Sequence, residues 1–200
     1  NKTPLLINSC RGEVFDSNAV YNAKEAGDIS GFIIDCWKNE PKLDLELLNQ
    51  SDYGTPHIAG YSKDGKANGT KMSIQAISRF FNLGIDDWEP TGVDLPEKTE
   101  FEIDGNQRRE YSVLAEAILS TYDIEIDDDN LKDSPHLFEQ LRGDYPVRRE
   151  FDSYTIKAKN IERGTLDKLK KLGFKASVYD GSWKEWGNDL KLPIVNPSQK

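Results

Sequence analysis

Two hundred residues, 36% hydrophobic and 30% charged, fit one large or two small domains and can bury a real core. A net charge of −9 argues against nonspecific nucleic-acid binding, which needs a basic face, so an anionic ligand must be met by local arginines. No apolar run approaches the roughly 18 residues of a membrane span, the segment from Asn1 to Asn8 lacks a signal-peptide layout, and Cys10 and Cys36 have no metal-ligand spacing. The expectation is a cytoplasmic protein with reduced thiols, no metal and no membrane partner.

The run Pro4-Leu5-Leu6-Ile7-Asn8 reads as a buried parallel strand, and Ser9-Cys10-Arg11-Gly12 as the loop after it. Ligands of open α/β sheets collect at the carboxyl ends of strands, so Arg11 is well placed for an anion. Asp16 offers an N-cap, Ala19 to Ala26 a helix, and Gly27 its end. Gly31 to Trp37 forms the next buried strand, with Asp35 at its close, and Leu43 to Leu48 a short helical turn. Strand, helix and strand in this order make a βαβ unit, one piece of a doubly wound sheet.

Thr55-Pro56-His57-Ile58-Ala59-Gly60-Tyr61 places one of only two histidines between a proline and a glycine. A constrained backbone there would suit a general base, although a lone histidine is more often a surface or satisfied core residue. Lys63 to Phe81 reads as one long helix with Met72, Ala76, Ile77, Phe80 and Phe81 on its apolar face and a glycine-rich start. Prolines and charges make residues 86–99 a linker.

From residue 100 to about 175 the pattern is that of a small α+β domain. Strands are expected at Glu100 to Ile103 and Tyr154 to Ala158, and helices at Arg108 to Tyr122, Ser134 to Leu141 and Glu162 to Leu172. Asp127-Asp128-Asp129 reads as a solvated loop, because adjacent carboxylates repel and the alternating ligands of a calcium loop are absent. His136 reads as structural. With no catalytic cluster, this domain looks like an association module.

Arg11, Glu40 and His57 stand at intervals of 29 and 17 residues. With their surroundings, Leu-Leu-Ile-Asn-Ser-Cys-Arg11-Gly-Glu-Val, Asp35-Cys-Trp-Lys-Asn-Glu40-Pro41 and Thr-Pro-His57-Ile-Ala-Gly60, the chain resembles the D-isomer-specific 2-hydroxyacid dehydrogenases. The continuation from Tyr61 to Thr70 is similar to a branch that oxidises a phosphorylated hydroxy acid on the route to pyridoxal phosphate. The resemblance covers about residues 1–175 and implies a partial Rossmann sheet (residues 1–85) followed by a dimerisation domain (100–176) in a cytoplasmic homodimer.

It further implies catalysis by Arg11, Glu40 and His57. His57 would take the substrate's hydroxyl proton, Glu40 would hold its ring and fix its tautomer, and Arg11 would bind the substrate carboxylate. NAD would be lined by Ser9, Cys10, Arg11, Asp35 and Gly60, and the substrate touched by Arg11 and Tyr61. The residues alone leave open an ordinary Arg11–Glu40 salt bridge and a strand-end cap at Asp35.

Two departures stand out. The family's Gly-x-Gly-x-x-Gly phosphate loop and its ribose-reading acid do not occur in this sequence. The chain therefore resembles the C-terminal half of the enzyme and is expected to bind NAD poorly by itself. Val178-Tyr-Asp-Gly-Ser-Trp183-Lys-Glu-Trp186-Gly187 resembles the closing segment of rhodanese-type sulfurtransferases. No persulfide loop precedes it, and Cys10-Arg11-Gly12 matches such a loop only superficially. A non-catalytic association module and, less favoured, a sulfurtransferase fusion are the alternatives to a dehydrogenase.

Overall fold

The computed structural model describes residues 3–178. The rhodanese-like tail after Val178 lies outside the described residues. Three parallel strands, β1 (Leu5–Asn8), β2 (Gly31–Ile34) and β3 (Tyr53–Gly54), form the first sheet in the order β1-β2-β3. The crossover helices are α1 (Ser17–Glu25) and α2 (Leu45–Gln50). Asp16 caps α1 by accepting from the Ala19 amide, as the sequence predicts, and Asp44 caps α2 through the amides of Glu46 and Leu47. Strand β3 is only two residues long, too short for a period-two pattern to reveal.

The long helix α3 (Lys63–Phe81) follows, then residues without regular structure up to a second parallel sheet. That sheet comprises β4 (Glu100–Asp104), β5 (Thr155–Lys159) and β6 (Lys175–Val178), in the order β4-β5-β6. Helices α4 (Glu110–Thr121) and α7 (Arg163–Lys171) share one core with it, built on Ile103, Val113, Ala117, Tyr154, Ile156, Ala158, Leu169 and Phe174. Alternation along β4 and β5 turns Glu100, Glu102, Lys157 and Lys159 to the open face, where they pair across the strands.

Two helices between these sheets depart from the sequence reading. Helix α5 (Ile124–Asp133) and helix α6 (Phe138–Gly143) lie within the stretch read as one α+β domain. Yet Leu131 and Phe138 are fully buried in the first core, with Val20, Phe32, Ile34, Trp37, Leu47 and Leu48. Each such side chain contributes roughly 1.5–3 kcal/mol of transfer free energy to the first unit. The residues read as a solvated acidic loop are therefore helical. Asp128 is 7% exposed, accepts from the Gly54 amide at 2.6 Å, and pairs with Lys132 at 2.9 Å. One donor on each oxygen offsets the repulsion that sequence reasoning weighed.

Other apolar surfaces stay uncovered. Leu5 and Ile7 of the strand predicted as buried are 48% and 63% exposed. Met72, Ile77, Phe80 and Phe81 form the predicted apolar stripe of α3, but all four stand exposed. Among the described residues no helix is long and apolar enough to cross a membrane.

Candidate active site

The chemistry-bearing residues collect at the carboxyl ends of β1, β2 and β3. After β1, buried Asn8 shapes the turn. Its side-chain amide donates to the carbonyls of Arg11 (3.0 Å) and Cys36 (3.1 Å), and its Oδ1 accepts from the Cys10 amide (3.2 Å). The loop then presses Gly12 onto the backbone of Trp37 and Lys38 so closely that any Cβ there would collide with it. Sequence reasoning missed both residues. A polar side chain closing an apolar run was the available signal at Asn8.

After β2, the carboxylate of Asp35 is 5% exposed. Its Oδ1 accepts from the Thr55 hydroxyl and the Ile58 amide, both at 2.7 Å, and its Oδ2 from the Ala59 amide at 3.2 Å. Asp35 thus lies under the third loop and holds it by its N–H groups. Trp37, also buried, donates its indole N–H to the Thr55 carbonyl at 2.8 Å.

His57 sits at the crest of that loop with φ at 54°, in the left-handed region that costs a non-glycine residue about 1–2 kcal/mol. Pro56 is fully buried before it, and the His57 amide turns back to the Thr55 carbonyl at 3.0 Å. The imidazole Nδ1 lies 2.8 Å from Glu40 Oε2, while Glu40 Oε1 accepts from the Trp37 amide at 2.7 Å. A carboxylate can only accept here, so in the neutral imidazole the proton sits on Nδ1 and Nε2 is left free.

Arg11 is exposed at the same sheet edge, its Nη1 on the Cys10 carbonyl at 2.7 Å, and makes no hydrogen bond to Glu40 or His57. The buried Cys36 thiol senses the patch. Burial first, then Asp35 and Glu40, push it up to about 12, with Arg11 opposing, so it remains an inert thiol. Both cysteines are free, Cys10 exposed and Cys36 buried. Ser9, Cys10 and Gly60 are exposed along the rim, and Tyr61 is half-buried under Lys66, whose Nζ lies 3.8 Å from the ring centroid. His136 stands exposed. No group of metal-ligating side chains occurs among the described residues.

A strap from the later part of the chain crosses the loop after His57. Arg148 donates to the Ile58 and Ala59 carbonyls at 3.0 and 3.2 Å. Arg149 forks onto both oxygens of Asp64 at 2.8 Å each, and the Glu150 amide adds a third bond to that carboxylate.

Comparison with known proteins points to one enzyme family. Residues 1–59 match the family described as D-isomer specific 2-hydroxyacid dehydrogenase, NAD binding domain. The chain is similar to the erythronate-4-phosphate dehydrogenases. The protein of that name from Bacteroides fragilis (strain YCH46) is 45% identical over 155 residues, 78% of this chain and 42% of the relative. Its counterpart from Porphyromonas gingivalis is 39% identical over 168 residues, covering 83% and 44%, and that from Marinobacter nauticus 34% over 186 residues, covering 87% and 47%. The chain thus spans less than half the length of these relatives. Residues 95–173 match a domain of unknown function, DUF3410. The resemblance read from the three motifs is borne out.

The Arg149 hydrogen bonds, ahead of an opposing desolvation, hold the Asp64 carboxyl below the usual carboxylate range. A depressed folded-state pKa stabilises fully above the unfolded value of about 3.9 and is lost as pH falls through the folded value. Urea unfolding of wild type and Asp64→Asn should therefore differ most above about pH 5 and converge on acidification. A gap independent of pH would contradict this pairing.

Proposed function

We propose that this chain supplies the catalytic base and its support in an NAD-dependent dehydrogenase that oxidises 4-phospho-D-erythronate to 2-oxo-3-hydroxy-4-phosphobutanoate, on the route to pyridoxal phosphate. The observation that carries this reading is the 2.8 Å contact of His57 Nδ1 with Glu40 at the carboxyl edge of the sheet. Similarity to erythronate-4-phosphate dehydrogenases over most of the chain supports the substrate.

His57 Nε2 takes the proton of the C2 hydroxyl as the carbonyl forms. Glu40 keeps the ring in the tautomer with Nε2 free and balances the imidazolium that results. Arg11 binds the substrate carboxylate by swinging from the Cys10 carbonyl, and Tyr61 touches the substrate. Bound NAD would supply the hydride acceptor for C2. Ser9 and Cys10 after β1 and Gly60 after β3, all exposed on the rim, would line it. Asp35 already accepts three bonds from the third loop, so we assign its support of the nicotinamide side chiefly to that loop. We also assign a cytoplasmic location and a homodimer built on the domain of residues 100–176, with the uncovered apolar stripe of α3 as further surface for a second copy.

NADH production from 4-phosphoerythronate, measured on this chain with and without the N-terminal half of a relative, tests the reading. Turnover should appear in the completed protein, and His57→Ala should cut it roughly 100-fold or more. Near-normal turnover of that variant would remove His57 from the role. Light scattering should return twice the 22.7 kDa chain mass, and a monomer would contradict the dimer.

A further inference from the structure

We propose that Arg148 is the positioning residue of the His57 loop, holding the carbonyls that follow His57 so that its imidazole stays on Glu40. The peptides at Ile58 and Ala59 are gripped from both sides. Asp35 takes their N–H groups from beneath at 2.7 and 3.2 Å, and Arg148 Nη2 meets their carbonyls from above at 3.0 and 3.2 Å. The Ile58 carbonyl also accepts from the Tyr61 amide at 2.9 Å, a local turn that leaves the segment able to pivot as a unit about Asp35. Adding the outer grip fixes the peptide planes, and with them the left-handed backbone of His57 immediately before.

The guanidinium is itself immobilised. It lies 4.5 Å from the ring centroid of Tyr122, and Nη1 donates to the Tyr145 hydroxyl at 3.3 Å, which in turn donates to Asp127 at 3.1 Å. The backbone of the same residue is tied too, since the Arg148 carbonyl accepts from the Lys63 amide at 2.8 Å. Nη2 serves both adjacent carbonyls while Nη1 holds the Tyr145 hydroxyl, a division of labour that a lysine's single ammonium nitrogen reproduces poorly. Arg148 leads within seven residues into β5, so the clamp links the second sheet to the histidine of the first.

The catalytic consequence rests on the dehydrogenase reading, whereas the clamp can be read without substrate. Arg148→Met keeps the unbranched stem against Tyr122 and removes the donors, and Arg148→Lys keeps the charge. Proton NMR of the 200-residue chain follows the His57 Nδ1 proton and the Ile58 and Ala59 amides, with exposed His136 as the ring reference. Exchange at these three protons should accelerate about tenfold or more in both variants while the amides of β1 and β2 keep wild-type rates. In the completed enzyme, kcat should fall about tenfold with KM within about twofold, as a displaced base requires.

Wild-type exchange at the three protons in either folded variant overturns the proposal. So does an equal acceleration throughout β1 and β2, which marks a general loosening. Should Arg148→Met fail to fold, Arg148→Lys decides by the same protons. An inactive wild-type enzyme with an intact clamp signature would count against the dehydrogenase reading and leave the clamp standing.

Discussion

The carboxylate of Asp35 is the constraint on which the site depends. A buried charge at a strand end is costly unless donors surround it, and the nearest donors are the Thr55 hydroxyl and the amides of Ile58 and Ala59. Satisfying that carboxylate folds the third loop back over the ends of β2 and β3. His57 is then carried to the crest in a backbone conformation it would not choose unaided. Removing the carboxylate would orphan the amides as well, so the loop and its support stand or fall together.

Around this anchor the charges are divided by role. The net charge is −9, but the cations at the sheet edge are local and aimed. Arg11 stays exposed at the rim, while Arg148 and Arg149 are committed to loop carbonyls and to Asp64. Glu40 is fixed on one oxygen by the Trp37 amide and leaves the other for imidazole. A ring so held has one free nitrogen, which is what proton abstraction from a hydroxyl needs.

Much of this was legible in the sequence. The apolar runs before Asn8 and Asp35, the caps at Asp16 and Gly27, and the periodicity of residues 63–81 located β1, β2, α1 and α3. Three spaced motifs pointed to Glu40 beside His57, which the structure brings together. Tertiary partnership was not legible. Apolar residues such as Leu131 and Phe138 must face some core, but nothing local says that the core is the first sheet's, more than 70 residues back. The triple aspartate looked solvated because its partners, the Gly54 amide and Lys132, are supplied only by the packing of α5. Arg148 gave no signal, since its targets are backbone carbonyls, which every sequence has.

The tautomer of the neutral His57 ring tests the central claim most directly. Long-range proton–nitrogen NMR on the wild-type chain should show the proton on Nδ1 and the lone pair on Nε2. A ring protonated on Nε2 would mean that Glu40 does not hold it, and the assignment of His57 as the base would fail.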